Sequence, residues 1–164
     1  MARWTFEGMD KYIIELNKLE SNTDAIIGHA VHDGAGIVAD AVRGNIEALP
    51  AVPDGVGAHA YKAGTGVPLT ETTKQGLLDG FGISKIQRKN GYHHVKLGFD
   101  GYNNLKTKRF PKGQPNVLIA RSLEFGSSIS RKHPFVKPAV KATKEACEKK
   151  MTDVIDHEIE RLMK

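Results

Sequence analysis

Apolar residues recur at three- and four-residue steps near the start of the chain. Phe6, Met9, Ile13, Leu16 and Leu19 fall on one stripe, the spacing of an amphipathic helix. Ser21-Asn22-Thr23-Asp24 follows, and these residue types compete for backbone hydrogen bonds and favour caps. The pattern therefore predicts a break there and a second helix carrying Ile27, Val31, Val38, Val42, Ile46 and Leu49, stopped by Pro50 and Pro53. Gly28, Gly34, Gly36 and Gly44 each weaken that helix by up to about 1 kcal/mol relative to alanine, which points to close packing or a kink.

From Ala51 to Thr73 no period is sustained, and glycine and proline mark a long irregular loop. Two β-rich runs come next, Phe81 to Arg88 and Tyr92 to Phe99, separated by Lys89-Asn90-Gly91. Asn-Gly tolerates positive φ at both positions, so this is a hairpin signal. After a basic, breaker-rich loop at 103–115, Asn116 is placed to cap a short helix ending at Gly126. Pro138 suits the first turn of a last helix, with Val140, Cys147, Met151, Val154, Ile155, Ile159 and Leu162 on one stripe. That helix would be roughly 40 Å long at 1.5 Å per residue. The expected fold is α+β: a single domain over 1–164, with an antiparallel sheet around a central β-hairpin, flanked by N-terminal helices and a long C-terminal helix.

Composition narrows this picture only slightly. The chain of 164 residues is 40% hydrophobic, which suits a folded domain with one core. No apolar run approaches the roughly 18 residues that cross a bilayer, and "MARWTFEGMD" lacks a secretory layout, so a cytosolic protein without membrane contact is expected. The single Cys147 permits no internal disulfide and reads as apolar filler. The net charge of +5 is unevenly spread: residues 1–50 carry 4 basic and 8 acidic side chains, whereas residues 51–136 carry 13 and 5. A basic middle seeks an acidic partner, either nucleic acid or an acidic protein surface.

Candidate chemistry is sparse. His29 and His32 are three apart on a helical pattern with Asp33 beside them, but no third ligand stands at a recognisable spacing. His93 and His94 are adjacent on a strand and point to opposite faces. Ser122, Ser127, Ser128 and Ser130 lie near His133 without a nucleophile elbow, and the "GTG" at 64–66 lacks the lysine of a phosphate-cradling loop. No catalytic residue, metal or cofactor is expected. Lys106, Lys108, Arg109 and Lys112 around Phe110 form the best nucleic-acid candidate, with cations for phosphates and one ring for stacking.

"EFGSS" at 124–128 and "HPFVKPAVKAT" at 133–143, followed by a charged terminal helix, together give Glu-Phe-Gly and then Pro-Phe-x-x-Pro-Ala. The pattern resembles that of a minor structural family of tailed bacteriophages and prophages that completes the tail and joins it to the head. Its residues here are Glu124, Phe125, Gly126, Pro134, Phe135, Pro138 and Ala139. "YIIELNKLE", "HAVHDGAGIVADAVRGNI", "GISKIQ" and "VKLGFDGYN" extend the resemblance over nearly the whole chain.

The resemblance implies a virion protein of the tail or head-tail neck, present in the host cytoplasm during assembly. It would form a ring, a hexamer on the tail, between the tail tube protein and a head-completion or connector protein. On this reading Phe125 and Phe135 are two aromatic anchors in the core and Pro134 and Pro138 set the exit angle of the last helix. Lys106, Lys108, Arg109, Lys112, Arg131 and Lys132 would meet an acidic surface or DNA in transit. The alternative is a basic DNA- or RNA-binding accessory protein.

Overall fold

A computed structural model describes residues 9–54, 69–104, 106, 108–127 and 131–163. The architecture is α+β. Helix α1 spans Met9–Glu47, α2 Glu71–Gly80, α3 Asn116–Phe125 and α4 Val136–Leu162. Strands β1 (Phe81–Ile83), β2 (Gln87–Lys89), β3 (Tyr92–His94) and β4 (Leu97–Phe99) lie between α2 and α3. No described helix is long and apolar enough to cross a membrane. Phe6, the "GTG" at 64–66, Ser128 and Ser130 lie outside the described residues.

The break expected at 21–24 does not occur, and α1 runs straight through it. Ser21 Oγ and Asn22 Nδ2 donate to the Lys18 carbonyl at 2.9 and 2.7 Å, and Thr23 Oγ1 donates to the Leu19 carbonyl at 2.7 Å. Side chains expected to cap a new helix bond backwards within the existing turn, a geometry open to these residues inside a helix.

α1 and α4 pack side by side largely on the expected stripes, with Val42 and Ile46 fully buried and Val31, Val38, Leu49, Cys147, Met151, Val154, Ile155, Ile159 and Leu162 half-buried, but two positions differ and small residues join them. Ile27 and Val140 are exposed, while Ile26, Ala30, Ala35, Ala39 and Ala139 are buried. Small side chains thus form much of the inner surface, and the glycines divide accordingly. A Cβ on Gly34 would stand 2.6 Å from Met151 Cε and 3.1 Å from Cys147 Sγ, whereas Gly36 and Gly44 face open space. Close packing explains the first, and the other two only weaken the helix. Half-buried Cys147 serves this contact, and burial together with Glu148 raises its thiol pKa.

The segment read as loop to Thr73 contains the start of α2. Thr70 is extended at φ −92° and its hydroxyl accepts the Thr73 N–H at 3.2 Å, a side-chain N-cap. The hairpin is present, with Asn90 and Gly91 at φ 53° and 81°. Its two arms form two short ladders rather than one: β1 pairs with β4 and β2 with β3. Ile83 faces Leu97 but Gln87 faces His94, so the first arm holds one residue more than the second between the ladders. Ser84 occupies this bulge, giving its N–H to the Lys96 carbonyl while its hydroxyl accepts the Lys96 N–H, both at 2.8 Å.

The core gathers Val42, Ile46, Leu69, Leu77, Phe81, Ile119, Leu123 and Phe135 where all four helices and the sheet meet. Phe99 links two of its rings, 5.0 Å from Phe81 and 5.9 Å, edge-on, from Phe135. Asn116, expected as a cap, is instead buried as the first residue of α3. Its amide nitrogen donates to the Asp100 carbonyl at 2.8 Å, and its oxygen accepts from Asn103, which also donates to the Thr73 carbonyl. This pair ties α2, the post-hairpin loop and α3 together.

Two glycine substitutions test this packing with opposite signs. Gly36→Ala meets no neighbour and gains helix propensity, so stability should rise by about 0.5–1 kcal/mol. Gly113→Ala places a Cβ 2.3 Å from the Asn103 carbonyl oxygen at φ 124°, and should cost about 2 kcal/mol or more. Thermal melts of the two variants should move in opposite directions, and a shift of the same sign would contradict the packing described.

Candidate functional site

The pattern from Glu124 to Ala139 folds into a joint between α3 and α4. α3 ends because Gly126 takes φ 81° and its N–H closes on the Ser122 carbonyl at 2.9 Å. The chain returns at His133, whose N–H donates to the Leu123 carbonyl at 2.7 Å. α4 then starts with Phe135 as its N-cap, a residue with no side-chain acceptor of its own. Glu124 supplies one from the neighbouring helix. Its Oε2 accepts the N–H groups of Phe135 and Val136 at 2.8 and 2.9 Å, and its Oε1 accepts that of Lys137 at 2.9 Å.

A helix start leaves four backbone N–H groups without intrahelical partners. Here one carboxylate takes three, and the fourth position is Pro138, which has none. Burial pushes the Glu124 carboxyl up, but the three backbone donors and the Lys137 charge outweigh it and hold the pKa below the ordinary value.

Phe135 connects this joint to the remaining elements. It is 1% exposed, its ring meets Phe99, and its carbonyl accepts Asn45 Nδ2 of α1 at 2.8 Å. Ala139 is buried one turn further on. The joint therefore unites Glu124, Gly126, Phe135, Pro138 and Ala139, while Pro134 is exposed beside it. Phe125 is the exception and corrects the expectation of two core anchors: it is 76% exposed. Each helical residue turns about 100° from the last, so Leu123 enters the core, Glu124 faces α4 and Phe125 points outward.

Lys106, Lys108, Arg109 and Lys112 are exposed on one loop, and Arg131 and Lys132 on another. The Arg109 guanidinium lies 5.6 Å over the Phe110 ring, so the ring expected to stack a base carries its own cation. His29 and His32 are exposed on α1, with His32 Nδ1 3.9 Å from Asp33. Among the described residues no group of three His, Cys, Asp or Glu side chains could hold a metal ion. His93 packs against α1, its Nε2 3.7 Å from Asp24, whose carboxylate also pairs with Arg88.

Sequence reasoning missed an open cleft of about 340 Å³ beside the asparagine pair, lined by Asp79, Asp100, Tyr102 and Asn104 among others. Asp79 accepts from Gln75 and Asp100 from the Gly101 N–H, and Thr72 of the lining donates its hydroxyl to the Asp54 carboxylate. No sequence signal marked it, because its walls come from residues 72–80 and 100–116, brought together only by folding. Comparison with protein-family models, characterised proteins and solved structures finds no match to this chain.

Glu124 gives a pH-dependent test. Its folded-state pKa lies below its ordinary value of about 4.5, so its stabilisation is complete above that pH and is lost as pH falls through the folded value. Glu124→Gln should cost about 2 kcal/mol at pH 7, the scale of lost charged hydrogen bonds, and denaturation curves of variant and wild type should converge in acid. Equal stability at pH 7 would show that the carboxylate does not hold the joint.

Proposed function

We propose that the protein is a virion structural subunit that completes a phage tail or joins tail to head, acting in a ring of copies. The observation that carries this reading is the joint itself. The pattern that resembles the tail-completion family is built here from residues that orient helices, with Glu124 and Phe135 at its centre. A subunit of this kind needs shaped surfaces more than perturbed catalytic groups. Phe125 on the rim of the joint and the exposed cations at 106–112 and 131–132 supply such surfaces toward the tail tube, a connector or passing DNA.

The four exposed cations of 106–112 sustain the second reading, nucleic-acid binding. Anisotropy of labelled DNA against salt separates the two. Contacts from four cations give a log–log slope near −3 to −4, about −0.9 per phosphate. A flat, weak signal would leave the structural reading in front.

The direct test is quantitative mass spectrometry of particles purified from the induced source bacterium. A low, fixed copy number equal to one ring is expected. Absence of the chain from assembled particles would refute the structural role.

A further inference from the structure

Two apolar surfaces far apart along α1 lack cover among the described residues. The first is the start of α1. Asn45 bonds the carbonyl of Phe135 at the beginning of α4, and Gly34 lies under Cys147 and Met151, so the two helices run antiparallel. At equal rise per residue, Leu162 comes abreast of about residue 21. α1 begins at Met9 and therefore runs roughly ten residues beyond its partner. On this overhang Ile13, Ile14 and Leu16 are 47%, 55% and 42% exposed. A lone helical extension gains little stability in water, and an apolar group on it is a contact surface.

The second surface is the outer side of α3. At 100° per residue, Val117, Leu118, Arg121 and Phe125 fall within about 100° of one another. The buried Asn116, Ile119, Ala120 and Leu123 occupy the opposite side. Val117, Leu118 and Phe125 are all exposed.

The charges around the two surfaces are opposite. Residues 13–24 carry Glu15 and Glu20 against Lys18, and also Asp24, whose carboxylate is paired with Arg88. Residues 115–137 carry Arg121, Arg131, Lys132 and Lys137 against Glu124, whose carboxylate is turned onto the α4 amides. Residue 45 of α1 sits at the joint beside α3, about 45 Å along the helix from Ile14, so one chain cannot bring its own two surfaces together.

We propose that copies of this chain associate head to tail, the α1 overhang of one docking on the α3 outer face of the next. The contact deepens the ring reading above, and it is heterologous, so it closes into a ring when the rotation per copy permits. Apolar side chains supply the contact and the opposite rims set its direction.

Sedimentation velocity of the full chain over a wide concentration series tests this, using Ile14→Asp and Phe125→Asp. Both positions are exposed, and unchanged circular dichroism and melting verify the fold. Wild type should form species larger than a dimer, and each variant alone should associate at least about tenfold more weakly. An equimolar mixture of the two variants should form a heterodimer and stop there, because one intact overhang and one intact α3 face remain.

Monomeric wild type throughout the series, or variants that fail to pair when mixed, would overturn the proposal. Loss with Ile14→Asp but not Phe125→Asp would also overturn it, in favour of symmetric α1 pairing. The assay needs no particle: self-association without virion incorporation would refute the tail reading alone, and incorporation by a chain that fails the mixing test would refute the interface alone.

Discussion

One carboxylate sets the relation between the two halves of this fold. Glu124 stands in the last turn of α3, where the helix dipole disfavours a negative charge, yet it also lies at the start of α4, where the dipole favours one. Each dipole effect is worth about 0.3–1 kcal/mol at an exposed site, and the two oppose each other. Charge-assisted hydrogen bonds contribute about 1.5–3 kcal/mol, and three backbone donors converge here, so the direct bonds decide the arrangement. With α4 pinned, the Phe135 ring is held edge-on to Phe99 and its carbonyl is held for Asn45. Three successive amides thus fix where α4 starts against the sheet, α1 and α3.

The long helix pair shows a second constraint, the size of the side chains between the helices. Large apolar residues are the usual guide to a buried stripe, and that guide chose Val42 and Ile46, which are buried, but also Ile27 and Val140, which are exposed. Alanine and glycine are nearly silent on such a scale. Where they line a helix contact, however, they let the partner come close, as Gly34 does beneath Met151. The buried face then takes in Ile26, Ala30, Ala35 and Ala39 on α1 and Ala139 on α4, beside the expected Val42 and Ile46 and the half-buried Cys147 and Met151. Most of the side that each helix buries was therefore legible in the sequence, and what was not is the share taken by alanine and glycine, which depends on how near the partner lies.

Local chemistry decided which other elements could be read in advance. Asn90-Gly91 marks its hairpin because few residue pairs accept two positive φ values, whereas the bulge at Ser84 needed knowledge of the pairing register. α2 was hidden by Gly76 and Gly80. Those glycines are there to admit Asn103 and Asn116, each of which would lie within 2.5 Å of an added Cβ. Continuity of α1 through 21–24 was also unreadable, since the same hydroxyls and amides cap a helix or bond back along one according to what precedes them.

The joint also accounts for the orientation of Phe125. Glu124 must face the α4 amides, which turns the next side chain about 100° away, and Gly126 ends the helix before another residue can cover it. A phenylalanine there forgoes roughly 1.5–3 kcal/mol that burial would contribute. Its backbone lies between buried Leu123, Glu124 bonded to the α4 amides, and the closed turn at Gly126. A ring on a rigid mount loses little conformational freedom when a partner covers it, so most of the burial energy remains available for association. The interaction that stabilises the fold inward therefore presents an exposed aromatic ring outward, two neighbouring residues of one helix doing both.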